Sequence, residues 1–210
     1  KADKIITLTE QMRDYICQRT KKNLYNKIEL LENPSVLTDA PISVIKKKQF
    51  VFCGNAGRLQ RIPLLISSIE NYILQGGSLP FVFAGGGVYQ KDVINLAKKF
   101  PNQVRYLGIL PGNEAAKVMQ ESTYGLMPIE DEVTLYAFPS KSSSYIYANC
   151  WIIAISGPET STSKFIKENN LGYSVDPTIV ALTNLYFELE KKPIEKYIVP
   201  TDLIDKLTPS

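Results

Sequence analysis

Histidine is absent from the 210 residues. That absence excludes Ser-His-Asp and Cys-His nucleophilic catalysis, histidine-ligated metal and a histidine general base. Chemistry carried by this chain must rest on carboxylates, hydroxyls, lysine, arginine or backbone dipoles. Cysteine is scarce, and Cys17, Cys53 and Cys150 are far apart, odd in number and without zinc spacing. A disulfide framework and a cysteine-type zinc site are therefore excluded. Cys53 and Cys150 lie in apolar runs and are expected as buried, reduced thiols, which fits a cytoplasmic location. No apolar run approaches the ~18 residues a membrane-spanning helix needs. A strong charge bias is lacking too. Lys and Arg number 24 against 21 Asp and Glu, for a net charge of +3. So mild an excess suits a protein that handles anions and leaves no footprint for nucleic acid.

What is present is a strand-helix alternation. Ile5 to Leu8 reads as a short strand. Thr9-Glu10-Gln11-Met12 reads as a capping box that opens a helix to about Thr20, and Lys27 to Leu31 reads as a second strand. Residues 35–48, with Pro41 and a lysine run and with Pro34 just before them, read as a linker. Gln49 to Cys53 is a near-continuous apolar run, as a strand buried on both faces requires. A helix follows with Ile62, Leu65, Ile66, Ile69 and Ile73 on one face and Pro63 in its first turn. Further strands are expected over 80–84, 103–107, 124–127, 151–155 and 172–175. The helices between and after them are expected over 92–100, 114–121, 142–148, 161–169 and 178–191. The fold class this predicts is α/β, a Rossmann-like parallel sheet with helices on both faces.

In such sheets ligands bind at the C-terminal strand ends, where loops meet helix N-termini. Three loops stand out. In Gly54-Asn55-Ala56-Gly57-Arg58 two glycines allow close approach of the backbone to a phosphate, and Arg58 brings a fork of donors. The alternative is a tight turn with a surface arginine. Pro139-Ser140-Lys141-Ser142-Ser143-Ser144 opens a helix with a lysine and several hydroxyls, an anion site or, more plainly, a polar start capped by Ser140. Gly85-Gly86-Gly87 follows the second strand of the sheet and reads most simply as a flexible turn. Glu130-Asp131-Glu132 could bind a metal, but a solvated loop is the better reading. The glycine pattern is not G-x-G-x-x-G, so a dinucleotide oxidoreductase has little support.

The stretch from Gly54 to Gln60 resembles the first phosphate loop of bacterial family-4 glycosyltransferases, nearest the amino-sugar and fucosamine transferase branch. Pro139-Ser140-Lys141, with Tyr145 and Ile152-Ile153-Ala154, is similar to that family's second donor motif. Val104 to Leu110 resembles the strand and loop that hold the base, and Ala2 to Asn33 the last strand-helix-strand before the inter-domain linker. The resemblance covers the chain to about Pro177 and rests on the order and spacing of the motifs.

It implies the C-terminal domain of a GT-B fold, with residues 1–34 ending a truncated N-terminal Rossmann-like domain. A linker would cover 35–48, the nucleotide-sugar domain 49–177, and a C-terminal helix and tail 178–210. The start Lys1-Ala2-Asp3-Lys4 likewise reads as that of a fragment. The implied activity is retaining transfer from a nucleotide-sugar, with UDP as the expected nucleotide, to a saccharide or lipid-linked acceptor, with no cofactor and no metal. It also implies cytoplasmic placement, with peripheral membrane association through the missing N-terminal part. Gly54, Asn55, Gly57, Arg58, Ser140, Lys141, Ser142 and Ser143 would hold the diphosphate. Gly85, Gly108, Ile109, Leu110 and Ser144 would line the nucleoside. No catalytic residue is assigned. Tyr136 and Ser144 stand where many members carry two glutamates in an E-x7-E arrangement. Asn149-Cys150-Trp151 replaces a Gly-x-Pro, although Asn149 suits a left-handed conformation. Two classes stay open: an active transferase, and a catalytically silent GT-B protein that acts as a partner subunit.

Overall fold

A computed structural model describes residues 3–31 and 45–194. Most of the expected linker and the tail beyond 194 lie outside the described residues. β1 (Ile5–Thr7), α1 (Glu10–Thr20) and β2 (Ile28–Leu30) form one unit whose two strands pair in parallel in a sheet of their own. Thr9 caps α1 by accepting from the Met12 N–H at 3.2 Å. The reciprocal half of a capping box is missing, because the third helical residue is Met12 and has no group to return the bond. Thr9 is a simple N-cap.

The remaining elements alternate: β3 (Lys47–Cys53), α2 (Ile62–Leu74), β4 (Phe81–Ala84), α3 (Gln90–Lys99), β5 (Val104–Tyr106), α4 (Gly112–Gln120), β6 (Ser122–Pro128), α5 (Lys141–Tyr147), β7 (Trp151–Ile155), α6 (Ser161–Glu168), β8 (Gly172–Val175) and α7 (Ile179–Lys191). Their strands form one six-stranded sheet in the order β5-β4-β3-β6-β7-β8. Every pairing in it is parallel. The chain builds outward from β3 to β5, then returns to the other side of β3. The point of reversal lies between β3 and β6, and in sheets of this strand order the ligand crevice is expected there, above their C-terminal ends.

The apolar strand runs are explained by two cores. Phe50, Phe52, Phe81, Phe83 and Ile153 point to the face covered by α2, α3 and α7. Val51, Val82, Met127, Ile152 and Ala154 point to the opposite face, under α4, α5 and α6. Side chains alternate along a strand, so burial on both faces requires consecutive apolar residues. Phe50, Tyr72, Phe81 and Tyr186 interlock in stacked and edge-on pairs with centroids 4.7 to 5.8 Å apart. Such pairs contribute about 0.5–1.5 kcal/mol each beyond burial. They fasten α7 across α2.

The lysine run read as linker has a different role at its end. Lys47 and Lys48 are the first residues of β3, and each lysine reaches a separate partner. Lys46 Nζ donates to the carbonyls of Ala148 at 2.6 Å and Ser122 at 2.9 Å. Lys47 pairs with Glu121 at 2.6 Å. Lys48 donates to the carbonyls of Glu190 and Lys192 at 2.6 and 2.5 Å. Lys46 and Lys48 thereby satisfy carbonyls at the ends of α5 and α7, where a cation also meets the negative end of the helix dipole.

Candidate functional site

The three expected loops come together at the crevice. The loop after β3 contacts the loop after β4: Ala56 N–H donates to Gly86 O at 2.7 Å, and Tyr89 N–H to Ala56 O at 3.1 Å. The loop after β5 joins them, since Gly108 O accepts from Gly85 N–H at 2.7 Å. Lys141 arrives from the first residue of α5. Its stem lies on Gly54, where an added Cβ would stand 2.7 Å from Lys141 Cε. A residue larger than glycine at 54 would displace the lysine. The residues named for the diphosphate at Gly54 and Lys141 are therefore in direct contact, although 87 positions apart in the chain.

Lys141 is half-buried. Its Nζ donates to Gln60 Oε1 at 2.7 Å and lies 5.1 Å from the centre of the Phe52 ring. Burial pulls its pKa down from 10.5 to about 8, and only an ionised Cys53 would act the other way. The amide, the ring and the protonated thiol are all neutral. Among the described residues Lys141 forms no ion pair. It is a cation held partly out of water without a counter-anion.

The neighbouring arginines contrast with it. Arg58 is exposed and opens a 3-10 turn over Arg58–Gln60. Arg61 pairs with Glu130 at 3.1 Å and Asp131 at 2.9 Å and donates to Ile129 O at 2.8 Å. Asp131 also accepts from Gly157 N–H at 2.8 Å. The acidic trio is thus not simply solvated: two of its members hold Arg61 and tie the β6 and β7 loops together. Among the described residues no group of three His, Cys, Asp or Glu could hold a metal ion.

The start of α5 differs from expectation in detail. Ser140 makes no side-chain capping bond and already has helical backbone angles. Ser142 N–H and Oγ both donate to Pro139 O, at 3.0 and 2.7 Å. The Ser142 N–H is therefore engaged within its own turn. Ser142, Ser143 and Ser144 are buried. Gly108 and Leu110 are half-buried, while Ile109 is 76% exposed and packs on Gly86. Asn149 does adopt the left-handed conformation, at φ 54°. Of the cysteines, Cys17 and Cys150 are buried and Cys53 is half-buried; all three are free.

Tyr145 sets the position of α5. Its buried hydroxyl accepts from Cys53 N–H at 3.2 Å and donates between Val51 O at 3.2 Å and Leu126 O at 3.1 Å. It bridges β3 and β6 at the point of reversal, one helical turn from Lys141. Gly125 leaves room for its ring. Tyr145→Phe is expected to lower stability by about 1–3 kcal/mol, because Cys53 N–H loses its acceptor in a dry site. Urea denaturation measures this, and a loss under about 0.5 kcal/mol would show that the hydroxyl is not needed.

A cavity of about 960 Å³ lies between the β1-α1-β2 unit and α5 and α6. Glu10, Asp14, Tyr15, Phe138, Ser142 and Ser143 are among its walls. Gln11 Oε1 accepts from the first N–H of α6, at Ser161, over 2.9 Å, and the Tyr15 and Tyr136 rings lie 6.4 Å apart. The start of α5 therefore serves two places, Lys141 resting on the loop after β3 and Ser142 and Ser143 lining the cavity. No local pattern in the sequence announces this second space, because its walls come from segments about 130 residues apart.

No family model matches the chain. It is similar to the protein named "Probable glycosyltransferase WbjE" of Pseudomonas aeruginosa, 29% identical over 145 residues, which cover 68% of this chain and 36% of that protein. The chain thus spans about a third of the length of this curated relative. Among solved structures, a Staphylococcus aureus TarM mutant in complex with UDP, fondaparinux and α-GlcNAc-glycerol superposes with a TM-score of 0.63 at 16% identity. That match covers 97% of this chain and 43% of the other. Sucrose-phosphate synthase of Thermosynechococcus elongatus superposes with a TM-score of 0.72 at 14% identity, covering 99% of this chain and 54% of the other. The expected α/β fold, a Rossmann-like parallel sheet of the GT-B kind with helices on both faces, is shown. The sequence likeness points to the glycosyltransferase superfamily.

Proposed function

We propose that this chain is the donor-binding part of a family-4 glycosyltransferase, near the amino-sugar and fucosamine branch, and that the crevice between β3 and β6 holds the diphosphate of a UDP-sugar. The observation that carries this reading is Lys141, a half-buried cation with neutral partners only, at the place where a parallel sheet of this strand order receives its ligand. An anion there gains a charge-assisted contact and relieves the cost of the buried charge. Arg58, exposed on the adjoining turn, is free to swing onto the same anion. Arg61 is already neutralised by its own carboxylates.

In this reading the whole enzyme transfers the sugar, with retention, to a saccharide or lipid-linked acceptor in bacterial surface polysaccharide synthesis, and is cytoplasmic. Lys141, Arg58 and the backbone of the Gly54–Arg58 loop stabilise the diphosphate as it leaves with the bonding electrons. The UDP held by the TarM structure supports the choice of nucleotide. The absence of a carboxylate at Tyr136 and Ser144 favours a second reading, a silent partner subunit that keeps nucleotide binding without transfer.

Calorimetry with UDP, GDP, ADP and NAD tests the donor reading. UDP is expected to bind best, and Arg58→Ala to weaken it about three- to tenfold. Preference for NAD, or no diphosphate binding at about 1 mM ligand, would overturn it. Turnover of UDP-sugars by a chain of the relative's full length separates the enzyme from the silent partner. The 210-residue chain alone is expected to bind UDP without appreciable transfer, since positioning the acceptor supplies a large part of the rate.

A further inference from the structure

We infer that Gln60 is a positioning residue for Lys141: its amide oxygen holds one of the three ammonium N–H groups, aims the other two at the crevice and helps keep the lysine charged. The inference rests on the donor-binding reading for its purpose but not for its geometry. Gln60 ends the 3-10 turn that begins at Arg58, on the loop after β3, whereas Lys141 begins α5. The 2.7 Å bond between them joins the two loops named for the diphosphate.

Among the described residues the groups that face Lys141 are few. Phe52 and Cys53 come from β3, and Gly54 and Gln60 from the loop that follows. Phe52 offers a π face and Cys53 a thiol kept protonated by burial. Gly54 offers only backbone and close approach. Gln60 is therefore the one side chain among these with a strong acceptor oxygen aimed at Nζ. An ammonium has three donors and no acceptor. One bond to Gln60 fixes its rotation and leaves two donors for an anion that enters from the open side. A carboxylate in place of the amide would neutralise the cation and compete with that anion. A neutral acceptor positions the charge without cancelling it, which is the property a phosphate site needs.

The test uses the 210-residue chain labelled with [¹³C]lysine, in which the Lys141 ε-methylene signal is followed by NMR from pH 6 to pH 11, alone and with UDP. Gln60→Leu keeps the volume and removes the acceptor. Its Lys141 midpoint is expected about one pH unit below that of the parent. Gln60→Glu is expected to raise the midpoint by more than about one unit. UDP affinity at pH 7 is expected to fall about three- to tenfold in Gln60→Leu, with the deficit widening towards pH 9 as the lysine discharges. In Gln60→Glu affinity also falls, although Lys141 stays charged. A residue that merely supported the fold would change affinity equally at every pH and leave the midpoint in place. Midpoints in both variants within about 0.3 unit of the parent would overturn the inference. Should the parent chain not bind UDP at all, the donor reading fails, and the ligand-free titrations still decide the role of Gln60.

Discussion

Lys141→Met is expected to weaken diphosphate binding by about tenfold or more and at the same time make the fold more stable. The two effects have one cause. Lys141 sits at about 8 rather than 10.5 because burial disfavours its charged form. At 1.36 kcal/mol per unit, keeping it protonated at neutral pH costs at most about 3 kcal/mol of stability. The direction follows from proton linkage. The unfolded chain holds this proton more tightly than the folded one, so stability contributed at this site rises with pH between about 8 and 10.5. Below about 8 the full cost is present. Methionine keeps the stem packed over Gly54 and Phe52 and removes the charge. It forfeits the bond to Gln60, worth about 1 kcal/mol, so a net gain of about 1–2 kcal/mol is expected at pH 7. Urea denaturation at pH 7 and pH 10 measures it, and the gap between variant and parent should narrow at the higher pH. UDP affinity should fall by tenfold or more, since a charge-assisted contact contributes about 1.5–3 kcal/mol. A variant destabilised by more than about 1 kcal/mol at pH 7 would mean that the lysine is not an uncompensated cation.

How much of this was legible in the chain depended on where each residue's partners lie. The strands could be read because burial on two faces leaves a local mark: Phe50-Val51-Phe52 is apolar throughout since alternate side chains enter different cores. Helix faces were legible for the same reason. Side chains that act at a distance were not. Arg58 and Arg61 look alike in sequence, yet Arg61 is paired with Glu130 and Asp131 about 70 positions away, and Arg58 is exposed. Lys46 to Lys48 were read as the end of a linker, while each in fact reaches a partner at least 70 positions on. Lys141 was singled out for its place at the start of a helix, but its burial comes from Phe52, Gly54 and Gln60, and no pattern near residue 141 carries that information. The hydroxyls of Ser142, Ser143 and Ser144 were named for the ligand, and the packing of a short helix against β6 and β7 buries all three, with Ser142 and Ser143 lining the second cavity.

The triple glycine gives the second large expectation, because it is a point of close approach rather than a flexible turn. An added Cβ on Gly85 would stand 2.0 Å from the carbonyl oxygen of Gly54, at a φ of +120° that side chains rarely adopt. The atom it meets is backbone, and that backbone is fixed: Gly54 N–H donates to Ala84 O at 2.9 Å, Gly85 N–H to Gly108 O at 2.7 Å, and Tyr106 Oη to Gly85 O at 2.8 Å. Three strand ends are joined at this residue, and the loop that carries Gly54 is the one on which Lys141 rests. Gly85→Ala is therefore expected to cost about 3–5 kcal/mol, the sum of overpacking and backbone strain. Molecules that remain folded should lose UDP affinity, since the β3 and β4 loops must part. Gly76→Ala is the matched control, with a φ of +94° and no atom within 4 Å of the added Cβ, so it pays the strain alone, about 1–2 kcal/mol. Chemical denaturation of the pair isolates the contact. If Gly85→Ala came within about 1 kcal/mol of Gly76→Ala, the junction of the three loops would be soft, and the crevice would not be the preformed anion site described above.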